Sequence, residues 1–312
     1  MNQRKMTVLD GIRELSTPLA GSVLTIGNFD GVHLGHQVLL ERVVTLAKAS
    51  GVPSVVMTFE PHPVKVLHPD RKLTRIFDFE DQRNRLEKAG IDILVVEPFS
   101  REFSQVTAER YLNEWIYRPF SPKNVIVGYD FSFGAERKGS IEFLRSKAEE
   151  LGISVEVIPP VKVDGEICSS SRIRQALEAG DVTLANKLLG RHFYIEGLVE
   201  RGAGRGRTIG IPTANLRSSA ETVPAQGVYA AYAITTAGRF KAMVNIGTNP
   251  TFVHQGHATV EAHILDFSQD LYGSSLRLEF VQRIRSEKKF SGPAELVAQI
   301  QNDIAEGRRV LS

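Results

Sequence analysis

The spacing of apolar residues changes once along the chain, and that change constrains the fold more than any other feature. In the first half, strand-length apolar runs alternate with stretches whose apolar residues recur every three or four positions. Residues 22–27 (SVLTIG) are one such run, and Leu39, Leu40, Val43, Val44 and Ala47 then mark one stripe of a helix over 35–50. Strand signals return at 53–59, 91–96, 123–128 and 153–158, with helical segments near 78–89, 106–117 and 140–151 between them. Such alternation predicts a parallel sheet wrapped by helices.

The second half reads differently. After a helical segment over 172–189, strand signals follow at 192–199, 228–236, 239–246, 258–267 and 275–284, separated by Gly, Pro and Asn clusters. That spacing predicts an antiparallel barrel or sandwich. A last helix is expected over 293–306, opening at Pro293 and stopping at Gly307. The boundary is therefore placed at 185/186, giving domains 1–185 and 186–312.

Composition narrows the function classes. With 42% hydrophobic and 24% charged residues, the chain can build globular cores and is not a disordered or low-complexity protein. A net charge of +2 is too mild to argue by itself for a nucleic-acid or membrane-surface partner. The single cysteine, Cys168, excludes an internal disulfide and a Cys-rich zinc site, and reads as a small buried filler. No apolar run is long enough to span a membrane and no secretory h-region opens the chain, so a cytoplasmic protein is expected.

The chemistry concentrates at GNFDGVHLGH, residues 27–36, where the first strand gives way to the first helix. Ligands of open parallel sheets sit at the carboxyl ends of strands. A glycine-rich turn lets backbone approach phosphate, and the helix N-terminus beyond it favours anions. His33 and His36 are placed to donate hydrogen bonds to charge developing in phosphoryl or nucleotidyl transfer. Taken alone, H-x-G-H also fits a turn with two surface histidines, or half a metal site. RGAGRGRTIGIPTANL (201–216) carries Arg201, Arg205 and Arg207 among glycines, Gly206 included, that permit close approach to phosphate. It is neither a Walker A loop nor a dinucleotide fingerprint. A bare Gly/Arg loop would also suit RNA. In ATVEAHILDF (258–267), alternation puts Glu261, His263, Leu265 and Phe267 on one face, from polar to apolar. His254 and His257 read as exposed turn histidines.

The chain resembles the bifunctional riboflavin kinase/FMN adenylyltransferase family, the prokaryotic FAD synthetases. The resemblance is carried by GNFDGVHLGH (27–36), TFEPHP (58–63), VGYDFSFG (127–134) and SSSRIR (169–174), then by PTAN within 201–216 and the V-E-x-x-I-L pattern at Glu261. GVYA (227–230), NIGTNPTF (245–252), LYG (271–273) and FVQRIRSEKKF (280–290) extend it. It implies an α/β chain: a Rossmann-like nucleotidyltransferase parallel-sheet domain, then an antiparallel β-barrel riboflavin kinase domain with a C-terminal helix. It further implies that His33 and His36, on the loop of Gly27, Asn28, Phe29 and Asp30, hold the ATP phosphates, and that Ser170, Ser171 and Arg174 close over them. Phe59, Pro61 and His62 would help hold the flavin, and Asp130 would lie near the nucleotide or its metal. In the second domain Gly206 and Arg207 would approach phosphate, Thr213 and Asn215 would orient Mg²⁺ and ATP, and Glu261 would be the base.

The expected ligands are riboflavin, FMN, ATP and Mg²⁺, with the flavins as substrate and product rather than prosthetic group. No nucleic acid or membrane is expected, and homo-oligomerisation is left open. Three other readings stand beside this one: a different nucleotidyltransferase on the same folds, a flavin- or nucleotide-sensing protein with a dead site, and an RNA-binding module built on the Gly/Arg loop, which the net charge of only +2 disfavours.

Overall fold

The computed structural model describes residues 5–202, 206, 210–248 and 258–312. Arg205, Arg207, His254 and His257, all singled out above, lie outside these residues. The chain forms two compact units, Met1–Cys168 and Ser169–Ser312.

The first unit runs β1 (Thr7–Leu9), β2 (Ser22–Ile26), α1 (Leu34–Ser50), β3 (Ser54–Glu60), α2 (Pro63–Leu67), α3 (Phe79–Lys88) and β4 (Ile93–Pro98). It continues through α4 (Ala108–Tyr111), a π-helical turn Leu112–Tyr117, α5 (Arg118–Phe120), β5 (Pro122–Gly128), α6 (Ile141–Glu150) and β6 (Ser154–Ile158). A small hairpin of β7 (Lys162–Val163) and β8 (Glu166–Ile167) closes it. The sheet order is β1-β4-β3-β2-β5-β6, and every neighbouring pair is parallel. The chain steps from β2 through β3 to β4 on one side, then crosses to β5 and β6 on the other. The switch point therefore lies beside β2, where an open α/β sheet leaves its ligand crevice.

Central β2 is buried along its whole length, which is why it reads as a continuous apolar run. Val23 belongs to the core cluster that holds Leu40 and Val43 of α1, whereas Leu24 belongs to the one that holds Leu112, Ile116 and Leu144. The five α1 residues of the predicted stripe are all buried. Each Leu or Val so buried contributes about 1.5–3 kcal/mol relative to exposure.

The second unit opens with α7 (Ser170–Glu178) and α8 (Val182–Leu189), not one helix over 172–189. Gly180, at φ +79°, stops the first helix, and the Asp181 carboxylate caps the second by accepting from Leu184 N at 2.9 Å. Six strands follow: β9 (Phe193–Glu200), β10 (Ala214–Arg217), β11 (Gly227–Thr235), β12 (Gly238–Thr248), β13 (Ala258–Ile264) and β14 (Ser275–Arg285). They close an antiparallel barrel in the order β10-β13-β12-β11-β14-β9. Asn186 of α8 donates to Phe280 O at 2.8 Å and accepts from Phe193 N at 2.6 Å, fastening that helix to β14 and β9. The compact units thus divide ahead of α7, while the boundary expected at 185/186 falls inside α8.

Two further expectations are corrected. The strand predicted over 258–267 ends at Ile264, because Asp266 turns left-handed at φ +56°; Leu265 and Phe267 do not continue the Glu261 face. The last helix, α9 (Pro293–Val310), runs through Gly307 instead of stopping there. A Cβ on Gly307 would sit 2.2 Å from Met243 Sδ, so this glycine is a contact point between helix and barrel.

Candidate active sites

In the first unit, the loop between β2 and α1 is held from below. Gly27 N donates to Met57 O at 3.1 Å, extending the β2–β3 ladder by one residue. Phe29, Gly31 and Val32 then take positive φ values of 50°, 79° and 38°. Non-glycine residues in this region cost on the order of 1–3 kcal/mol, so the surroundings must enforce them. Burial of Phe29 and Val32 does so, as do two long-range bonds. The buried Asp30 carboxylate accepts from Ile76 N at 3.1 Å. Gln82 of α3, also buried, donates to Asn28 O at 3.0 Å. Asp30 thus contributes at least partly as a brace, and Gln82 is a brace that the sequence reading missed.

The turn delivers His33 to the N-cap of α1, where its Nδ1 accepts from His36 N at 3.3 Å. On the neutral ring this leaves the proton on Nε2, making that atom a donor. The two imidazoles stack, with centroids 3.6 Å apart and planes 20° from parallel. Gly35 makes this possible: a Cβ there would lie 3.1 Å from the His33 ring. No acidic residue occupies the first turn of α1, so its partial positive charge is not offset from within. Cys168 is buried, and burial pushes its thiol up against the opposing effect of a Gly35 N–H bond.

The neighbouring strand ends supply the remaining first-unit candidates. His62 caps α2, its Nδ1 accepting from Val64 N at 3.2 Å, and its ring is buried. Phe59 is half-buried against Phe99 and Phe103, and Pro61 is exposed. Asp130 is exposed just past β5, while Phe133 packs into the aromatic core on Tyr111. Gly27–Asp30, His33, His36, Phe59, His62 and Asp130 thus cluster by element, at the carboxyl ends of β2, β3 and β5. Ser170, Ser171 and Arg174 belong to the second unit, in the first turns of α7, which Ser169 caps by accepting from Arg172 N at 3.2 Å.

Barrel strands, the segment after β14 and α9 together line an open cavity of about 880 Å³. Its lining combines polar Thr213, Asn245, Glu261 and Glu287 with apolar Met243, Phe290 and Leu296. Strand register brings part of the polar set together. Glu261 on β13 faces Asn215 on β10 and Asn245 on β12. Two glycines make room: a Cβ on Gly202 would lie 2.1 Å from Asn215 Nδ2, and one on Gly206 2.2 Å from Ile211 O and 3.3 Å from Thr213 Oγ1. Across the cavity, Arg285 grips the buried Asp303 of α9 with bonds of 2.9 and 3.0 Å. The sequence reading passed over Asn245 and Gly202, although both lie in stretches it quoted.

Among the described residues, no group of three or more His, Cys, Asp or Glu is placed to hold a metal. What this region offers instead is the Thr213 hydroxyl, the amides of Asn215 and Asn245 and the carboxylates of Glu261 and Glu287, hard oxygen donors that suit a cation arriving with phosphate and water.

Similarity to known proteins agrees with this division. The FAD synthetase family matches residues 16–172 and the riboflavin kinase family residues 189–311. The bifunctional riboflavin kinase/FMN adenylyltransferase of Bacillus subtilis is 37% identical over 297 residues, covering 94% of this chain and 93% of that protein. Its namesake from Escherichia coli K12 is 36% identical, covering 96% of each chain. This chain belongs to that bifunctional family. A solved Streptococcus pneumoniae structure titled a macrolide-efflux protein matches with a TM-score of 0.88 at 34% identity, covering 97% of this chain and 98% of that one. Among the described residues of this family member, no helix is long and apolar enough to cross a membrane. The FAD synthetase match takes in β2 to β6 of the parallel sheet and the riboflavin kinase match takes in the whole barrel, in the order expected of the bifunctional family.

Proposed function

We propose that this enzyme makes FAD from riboflavin in two ATP-dependent steps, one in each domain. The observation that carries the reading is the register of Asn215 with Glu261, which lines the cavity, in a chain that also presents the stacked His33–His36 pair at a β-to-α turn. The working division is 1–185 for adenylyl transfer and 186–312 for the kinase.

In the kinase step, riboflavin lies with its ring system against Met243, Phe290 and Leu296 and its ribityl chain toward Glu261 and Thr213, all lining the cavity. The Glu261 carboxylate takes the proton from the terminal ribityl hydroxyl as that oxygen attacks the γ-phosphorus of ATP. A P–O bond forms to the flavin, and the bond to the β-phosphate oxygen breaks, leaving ADP. Thr213 Oγ1 and the Asn215 amide oxygen would hold Mg²⁺, which when bound neutralises charge on the transferring phosphate. Gly206 lies on the loop proposed to approach phosphate; Arg207, assigned to the same role by the sequence, lies outside the described residues.

In the second step, an FMN phosphate oxygen attacks the α-phosphorus of ATP and pyrophosphate leaves. Catalysis here is positioning plus charge stabilisation, with no covalent enzyme intermediate. His33 Nε2–H, His36 and the backbone of Gly27–Asp30 receive the phosphates at the α1 N-terminus. Phe59, Pro61 and His62 support the flavin, and Asp130 lies by the nucleotide; Ser170, Ser171 and Arg174, at the Ser169-capped start of α7, form an anion-binding turn of their own. Both substrates being metabolites that accompany ATP, the enzyme works in the cytoplasm.

The test is incubation of pure protein with riboflavin, ATP and Mg²⁺, followed by chromatography of the flavins. FMN and FAD are expected in succession. No phosphorylated flavin would overturn the reading, and FMN without FAD would remove its second half.

A further inference from the structure

His263 has no role in the two steps above, yet it stands on the face of β13 that carries Glu261 and it lines the same cavity. Its Nδ1 lies 2.8 Å from Pro212 O. A carbonyl only accepts, so Nδ1 carries the proton and donates. The β10–β13 ladder begins at Ala214, paired with Ala262. Pro212 has no N–H with which to prolong it. Where the main-chain ladder stops, the imidazole of His263 reaches across and holds the chain. The peptide it grips is the one that leads into Thr213, which lines the same cavity.

Resting on the kinase reading, we infer that His263 is a positioning residue. Its bond to Pro212 O sets the direction of the Thr213 hydroxyl and thereby the affinity of the barrel for Mg-ATP. One strand then provides both the base and the brace for the nucleotide side. Bonds that orient a metal-ligating group are commonly worth 10- to 100-fold in affinity or activity.

The experiment compares His263→Ala, which removes the donor, with His263→Asn, whose amide nitrogen can stand near the position of Nδ1. Three quantities are measured on the full chain: steady-state FMN formation, riboflavin binding by flavin fluorescence, and binding of a non-hydrolysable ATP analogue with and without Mg²⁺. For His263→Ala the expected result is a 10- to 100-fold rise in the Mg-ATP requirement and a matching loss of Mg²⁺-dependent analogue binding. Riboflavin affinity should change less than about threefold by the same logic, and His263→Asn should restore most of the loss. Wild-type Mg-ATP dependence in His263→Ala would overturn the inference. So would equal loss of riboflavin and nucleotide binding, or an Asn variant no better than Ala at an unchanged unfolding midpoint. A wild-type protein that forms no FMN would instead overturn the kinase reading itself.

Discussion

Glu261 and Asn215 are direct cross-strand partners in the β13–β10 pair, and Asn245 faces the same Glu261 from β12. One carboxylate therefore stands between two amides across three neighbouring strands. An uncharged isostere at its position keeps the packing and removes the proton acceptor. Glu261→Gln should lower FMN formation by about 10²–10⁴-fold, the range usual for a general base. FMN supplied from outside should still be converted to FAD at the wild-type rate. Chromatography of both reactions checks this, and equal loss of the two activities would contradict separate sites.

The first-unit site offers the complementary case. A Cβ at Gly35 would press on the His33 ring at 3.1 Å, and the ring, not the backbone, has to yield. Misplacing a reacting group by 1 Å can cost on the order of 10²-fold, so a shift of a few tenths in Gly35→Ala should cost roughly tenfold in FAD formation. Stability should change little, because replacing a helical glycine returns about 0.5–1 kcal/mol against the crowding. FMN formation from riboflavin should be untouched. The check is the ratio of the two rates together with a thermal melt.

Parts of both sites were legible in the sequence because they depend on local pattern. The glycine-rich turn and the α1 stripe follow from periodicity, and strand alternation put Glu261 and His263 on one face. What escaped depends on which strands become neighbours. Nothing local in Ala-Asn-Leu-Arg announces β10, which exists because β13 and β9 pair with it on either side. Asn245 joins Glu261 only through register, and Gln82 reaches Asn28 across 54 residues of sequence. Gly307 misled for the same reason: a glycine near a helix end resembles a stop, but here it is a tertiary contact.

The segment that follows β14 should loosen in acid. Ser291 N and Oγ donate to the Glu295 carboxylate at 2.9 and 2.8 Å, and Lys288 Nζ approaches it at 3.1 Å. These contacts, the backbone bond foremost, push Glu295 down to about 2 from its ordinary 4.5. A depressed carboxylate stabilises the fold above its unfolded value and stops doing so as pH falls through the folded one. The stability difference between wild type and Glu295→Gln should thus be constant above about pH 4.5 and shrink as pH drops toward 2. Urea denaturation of both proteins across that window measures it, and a pH-independent difference would refute the assignment.

Gly307 separates helix propensity from packing. In an exposed helix interior, Gly→Ala gains about 1 kcal/mol. Here the new Cβ would meet Met243 Sδ at 2.2 Å, so Met243 must leave its place. Overpacking of a filled site costs about 1–3 kcal/mol, which equals or exceeds the propensity gain. Gly307→Ala should therefore destabilise the second unit by roughly 1 kcal/mol, against the sign that propensity alone gives. Met243 also lines the cavity, so its displacement should weaken riboflavin binding while leaving FAD formation from FMN intact. Met243→Ala in the same chain provides the discriminating partner. By emptying the space it should relieve the clash, so the double variant should be more stable than the sum of the two single changes. A double-mutant cycle in urea reads this directly, and strict additivity would show that Gly307 and Met243 are not in conflict.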